Sequence, residues 1–216
     1  MLCGPGQHSA SSRTVDQMPP DDQHRRYQGR IGVVPDSPLY ESALEIRPVR
    51  PDEHEAAGAL VEAAYLAGGL LDNDRGYGSR VRDVAGRASA HRVLVALRDS
   101  RLVGTVTLTP YGTPHSELAH EDEVEFRYLG VAPEAWGGGV APALVAACED
   151  YAVATGAVGL VICVIADNTK AHRLYERLGF VRAPDRDWTP MPGVDLWAFT
   201  RPVPRPTPLM CNHNGL

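Results

Sequence analysis

From residue 44 onward the apolar positions switch between two periods. Val93–Leu97 and Leu102–Leu108 alternate, which predicts two strands, and Asp99-Ser100-Arg101 between them predicts a hairpin. Val124–Val131 is rich in β-branched and aromatic residues and predicts a third strand, stopped by Pro133. Leu144, Val145, Cys148, Tyr151 and Ala152 then fall on one helical face. Val158–Ala166 is a continuous apolar run, as in a strand covered on both sides. Ala171, Leu174, Tyr175 and Leu178 return to helical spacing, behind the caps Asp167 and Asn168 and ahead of Gly179. The chain from Val124 therefore reads β–α–β–α, with a parallel pair at its centre.

The flanking pattern is weaker. Leu44–Arg50 predicts a short strand, and Pro48 favours an edge. Pro51 and Asp52 open a helix whose apolar stripe is Ala56, Leu60, Ala63 and Ala64, ended by Gly68-Gly69. Leu70–Ser79 reads as a loop holding Tyr77, followed by a second helix with Val81, Val84 and Ala88 on one face. Residues 111–123 form a polar loop with His115, Glu117, His120, Glu121, Asp122 and Glu123, and the bland account is a solvated acidic loop. Residues 185–192 read as a loop containing Trp188, and Asp195–Thr200 as the last strand. Residues 1–43 are polar and rich in Pro, Gly and Ser, which predicts a disordered tail without the apolar run of a secretory signal. Residues 44–203 form one domain, and 204–216 an extended, proline-spaced tail.

The composition narrows the class. Net charge is −6 and the isoelectric point about 5.7, which argues against nonspecific nucleic-acid binding. The longest apolar run, at Ala157–Ala166, is too short to span a membrane. The four cysteines show no C-x-x-C spacing, and no metal constellation is present, so a reduced, cytoplasmic protein is the expectation.

The chemistry gathers at Gly137-Gly138-Gly139, between a strand and a helix. Such a turn lets backbone approach a ligand, and the helix start offers free amides and the positive dipole end to a phosphate. Glycines alone are weak evidence, because a plain loop with awkward φ angles reads the same. No Gly-Lys-Ser/Thr follows, and G-x-G-x-x-G spacing is absent, so neither a P-loop nor a dinucleotide fold fits.

The residues around the turn carry more. E-F-R-Y-L-G-V-A-P from Glu125, then Gly139 and Ala141, resembles motif A of the GCN5-related N-acetyltransferases. Asn168, Ala171 and Tyr175 match that family's N-x-x-A-x-x-x-Y, and Leu178-Gly179-Phe180 its common ending. The resemblance is strong from Glu125 to Phe180. It implies an α/β fold with a mixed, mostly antiparallel central sheet flanked by helices, whose parallel pair splays around an acyl-CoA site. It implies that the backbone of Leu129 and Val131 pairs with the pantetheine arm, with Gly130 between them as a further cofactor contact. It implies that the amides around Gly137, Gly138, Gly139 and Ala141 hold the pyrophosphate, with Trp136, Val140, Asn168 and Ala171 as further cofactor contacts. Trp136 stands where the family carries Arg or Gln, and Pro142 removes one amide donor.

The same resemblance makes Tyr175 the general acid and Glu125 the general base, with Glu123 and His120 as runners-up for the base. From pattern alone, an aromatic on an apolar helix face is more often core. The chemistry suits the assignment. A phenol of pKa near 10 is protonated at neutral pH and can serve a leaving thiolate. A lysine-like amine is only about one part in a thousand neutral near pH 7.4, so a carboxylate base helps. No nucleophile–base pair for an acyl-enzyme is evident, which favours direct transfer.

The expected function is N-acetyl transfer from acetyl-CoA, without a metal, to a small-molecule amine or a peptide or protein amine. Nucleic acid and membrane are not expected partners, and a homodimer is left open. Tyr65 and Tyr77 are candidates to line the acceptor site, with packing as the commoner explanation. Two rivals stand: a weak or inactive CoA-binding regulatory module, favoured by Trp136 and Pro142, and an enzyme of another short acyl-CoA.

Overall fold

The computed structural model describes residues 43–71 and 76–204. The expected tails at 1–43 and 204–216, with Cys3 and Cys211, lie almost wholly outside the described residues, as does part of the Tyr77 loop. The sheet contains β1 (Glu45–Pro48), β2 (Arg92–Arg98), β3 (Arg101–Pro110), β4 (Glu123–Val131), β5 (Gly159–Ile165), β6 (Val181–Arg182), β7 (Trp188–Met191) and β8 (Val194–Pro202). The helices are α1 (His54–Ala67), α2 (Tyr77–Arg82), α3 (Val84–Ala90), α4 (Val140–Thr155) and α5 (Thr169–Arg177). The strand order is β1-β2-β3-β4-β5-β8-β6, with β7 on β8. The pairings are antiparallel except β4 with β5, as the sequence implied.

Strand alternation sorts side chains onto two faces. Leu94 and Ala96 of β2 join Val106, Leu108, Val124, Phe126, Leu160 and Phe199 in a core that also holds α4 residues Leu144, Val145 and Cys148. Val93, Val95 and Leu97 point the other way, onto Ala57 of α1 and Val84 of α3. The hairpin between β2 and β3 turns on Asp99 and Ser100, both at positive φ, as a tight two-residue connection requires.

One local feature breaks the alternation. Between β3 and β4 the register runs from Thr107↔Arg127 to Thr105↔Gly130, so β4 carries one extra residue. Tyr128 sits there at φ +53°. Without the bulge, Tyr128 would follow Val124 and Phe126 onto the α4 face. Instead it packs with Val61, Leu71 and Val81 on the opposite face. By then β4 has already left β5, because their pairing covers only Glu123–Glu125 against Gly159–Val161.

Several expectations needed correction. The buried stripe of α1 is Ala57, Gly58, Val61 and Ala64. Ala56, Leu60 and Ala63 instead border a groove with Leu102, Ala132 and Pro133. With apolar residues at 56, 57, 60, 61, 63 and 64, the inward face of this helix is chosen by its neighbours, here α2 and the bulge. The single second helix is two, broken at Asp83, whose carboxylate accepts the Gly86 amide at 2.7 Å and caps α3. Tyr77 begins α2 rather than sitting in a loop. The loop expected at 185–192 contains strand β7, which β8 recruits by pairing.

Gly130 lies where α1 crosses β4. A Cβ there would meet Val61 Cγ2 at 2.9 Å and Val61 Cα at 3.0 Å. Gly130→Ala should therefore cost about 1–3 kcal/mol by overpacking, seen as a lower urea midpoint at unchanged m value. An unchanged midpoint would mean that α1 yields freely at this crossing.

Candidate active site

The departure of β4 from β5 creates the site. Ala132 N–H donates to the Val103 carbonyl at 3.0 Å. In an antiparallel ladder the neighbouring pair, Val131 with Gly104, then has its N–H and C=O turned away from β3. That side is the gap toward β5. Leu129 lies two residues earlier in the same phase.

β4 leads into a turn built for close approach. Gly137 and Gly139 have φ of +77° and +76°, and a Cβ at either would meet nothing within 4 Å. Gly138 donates to the Ala135 carbonyl at 3.2 Å, so its amide closes the turn. Its own carbonyl accepts from Arg98 Nη2 at 2.7 Å, which ties the turn to the end of β2. Val140 and Ala141 are the first two residues of α4, so their amides have no acceptor one turn back. Pro142 brings no amide, and the first intrahelical bond is Ala143 to Gly139 at 3.2 Å. Trp136 is 46% exposed, and its indole N–H donates to the Val131 carbonyl at 2.8 Å.

Tyr175 of α5 is 4% exposed. Its ring stands edge-on to Phe126 at 5.9 Å and to Phe180 at 5.6 Å, on the α4 side of the sheet. Burial pushes its pKa well above the ordinary phenol value, so the hydroxyl stays protonated. Asn168 caps α5, its side-chain oxygen accepting the Ala171 amide at 3.2 Å.

Glu125 lies on the opposite face from Phe126 and is fully buried. One oxygen, Oε2, accepts the amides of Glu117 and Leu118 at 2.7 and 2.8 Å. The other, Oε1, has no hydrogen-bond partner among the described residues and lies 3.7 Å from Arg127 Nε. Burial raises the Glu125 pKa, and the Leu118 amide, Arg127 and the Glu117 amide only partly offset it. Arg127 in turn pairs with Glu117 at 2.9 Å and donates to the His115 carbonyl at 2.7 Å.

The runners-up for a base are engaged elsewhere. Glu123 forms an ion pair with Arg186 at 2.7 Å and accepts the His120 amide at 2.8 Å. Burial works against its charge, but the Arg186 guanidinium and the His120 amide hold its pKa below the usual carboxylate range. Arg186 also donates to the His120 ring at 2.8 Å. The loop is thus less of an acidic attractor than its composition suggests, since Glu117 and Glu123 are both paired with arginine.

Tyr65 and Tyr77 pack beside Tyr128, and the Tyr77 ring stacks on it at 6.4 Å. Burial, then the nearby Tyr77 and Tyr175 hydroxyls, raises the Tyr65 pKa. Arg87 is buried below, 4.2 Å from the Tyr128 ring centre, with bonds to Thr107, Arg80 and Val81. Sequence reading missed Arg87, Arg98 and Arg127 as organisers, because a lone arginine carries no pattern. Arg127 had the one available signal, an arginine in a buried strand. Cys163 is half-buried with its thiol pushed up to about 12, and the buried Cys148 thiol is raised as well, so both are inert. No group of metal-binding side chains occurs among the described residues.

Comparison with known proteins agrees with this geometry. Residues 62–180 match the acetyltransferase (GNAT) family. A mycothiol acetyltransferase from Renibacterium salmoninarum is 28% identical over 189 residues, 82% of this chain and 53% of the relative. The chain thus spans about half the length of that curated relative. Among solved structures, the PaiA N-acetyltransferase from Thermoplasma acidophilum, in complex with coenzyme A, superposes with a TM-score of 0.59 at 15% identity, over 74% of this chain and 98% of that one. A protein from Salmonella typhimurium, solved with its cofactor acetyl-CoA, gives 0.56 at 20% identity over 77% and 97%. With the family match covering more than half of its residues and the splayed sheet in place, this chain belongs to the GNAT acetyltransferases.

Proposed function

We propose that the chain catalyses direct transfer of an acetyl group from acetyl-CoA to an amine. The observation that carries this reading is the open edge of β4. It runs past a buried tyrosine to the free amides of Val140 and Ala141. The residues fit the cofactor: the turn is open above Gly137 and Gly139, and the helix start favours a pyrophosphate. The outward backbone of Leu129 and Val131 receives the pantetheine arm as an added strand, with Gly130 between them and Asn168 and Ala171 opposite. Acetyl-CoA supplies the thioester.

The acid and base candidates lie on opposite faces of the sheet, with the gap between them. The amine enters from the Glu125 side and its nitrogen attacks the thioester carbon. Its proton passes to Glu125 Oε1 through a relay, because the loop covers the carboxylate. The C–S bond breaks and the sulfur takes the Tyr175 proton. The acceptor is a small amine or a peptide or protein amine. No helix among the described residues is long and apolar enough to cross a membrane. We place the reaction in the cytoplasm, whose reducing conditions suit the free thiols of Cys148 and Cys163.

Binding is tested by melting with and without acetyl-CoA. At a hundred times its dissociation constant a ligand stabilises by about 2.7 kcal/mol, several degrees for a domain of this size. No shift, with no heat of binding in calorimetry, would remove the enzyme reading. Tyr175→Phe should keep that shift while turnover falls about a hundredfold or more; unchanged turnover would strike out the acid role.

Glu125 predicts a pH signature. Its folded pKa is raised, so the base form appears only above the ordinary carboxylate range. The acidic limb of kcat should lie there and vanish in Glu125→Gln. The sign for stability is the reverse. The folded chain holds this proton more tightly, so the stabilising contribution is full at low pH and declines as pH rises through the raised pKa. Urea midpoints of Glu125→Gln should lack that decline, and a parallel decline in both proteins would assign it to another group.

A further inference from the structure

Trp136 is the residue at which this chain departs from the family pattern. A cation there would read phosphate charge, and an indole does not. Its geometry indicates a different task. Trp136 follows the short turn Pro133–Ala135 and has extended backbone, so its ring folds back toward the end of β4. The indole N–H then meets the Val131 carbonyl at 2.8 Å. That carbonyl belongs to a backbone unit turned toward the gap, as the Ala132–Val103 bond dictates. The ring is nearly half exposed, although it is among the largest apolar groups available for burial. The Arg98 bond to the Gly138 carbonyl braces the far side of the same turn.

Resting on the acetyl-CoA reading above, we propose that Trp136 is a cofactor-positioning residue. Its indole N–H occupies the Val131 carbonyl, so the Val131–Ala132 peptide is held from both sides, by Trp136 and by the Val103 carbonyl; this sets the backbone angle at Val131, whose own N–H in the preceding peptide is aimed at the pantetheine arm. Its exposed ring walls the entry between the strand end and the pyrophosphate turn. Recognition is thereby moved from phosphate charge toward the arm. The ligand class is unchanged, and the determinant is an aromatic hydrogen-bond donor in place of a cation.

The test compares wild type with Trp136→Phe, which keeps a ring and loses the N–H, and with Trp136→Ala, which loses both. Acetyl-CoA should change the tryptophan emission of the wild type, and that change should disappear in Trp136→Phe, although Trp188 and Trp197 remain. The dissociation constant by calorimetry and the KM for acetyl-CoA should rise about three- to tenfold in Trp136→Phe and further in Trp136→Ala, the scale of one lost hydrogen bond. kcat at saturating acetyl-CoA should stay within about twofold. A purely structural role would lower the melting temperature without this split between KM and kcat. Unchanged emission on proven binding, with an unchanged dissociation constant in Trp136→Phe, overturns the proposal and leaves the acetyl-CoA reading intact. If wild type binds no acetyl-CoA, both fall together.

Discussion

The structure depends on a strand that cannot satisfy both its neighbours. β4 is paired with β3 along most of its length and with β5 for only three residues. Its pairing with β5 ends at Glu125, and one extra residue follows at Tyr128. A non-glycine residue at φ +53° is strained, so the surroundings must hold it. They do so with Tyr77 stacked on its ring, Arg87 beneath it and α1 packed against the same surface. The bulge also inverts the alternation, putting Arg127 and Tyr128 together on the face opposite Phe126. The backbone polar groups left without a strand partner define the gap.

Around that gap, two kinds of polar environment are separated by the sheet. On the α4 side Tyr175 stands among aromatic rings, where burial keeps its proton in place. On the other side Glu125 is buried among backbone amides and a guanidinium, with one oxygen committed and the other without a bond among the described residues. A carboxylate with both oxygens bonded would be a structural anchor. One with a single committed oxygen can anchor the loop and still exchange a proton.

Much of this was readable in the sequence because it rests on local signals. Period-two runs gave β2 and β3, β-branched and aromatic enrichment gave β4, and helical spacing gave α4 and, with its caps, α5, close to their observed limits. The resemblance gave the splayed pair. What escaped depends on contacts between distant segments. The face of α1 was misjudged because Ala56, Ala57, Leu60, Val61 and Ala63 are all apolar, and only the approach of Gly130 selects Val61. Strand β7 was missed because a proline-containing stretch becomes a strand only when β8 pairs with it. The Tyr128 bulge left no mark, since tyrosine is a favourable strand residue. The arginines at 87 and 98 were silent, and Arg127 showed only as an arginine in a buried strand, for a similar reason: their partners are carbonyls, a hydroxyl and carboxylates elsewhere in the chain.

Arg186 joins two segments that the sequence keeps 63 residues apart, binding Glu123 and His120 at one end of the 111–123 loop. The turn before β7 and the base of that loop are thereby one mechanical unit. Any change of loop length that shifts one must be matched in the other or break the ion pair. Recognition surfaces built on both would diversify as a linked pair, so transplanting either segment alone from a relative would deliver half of a fitted part.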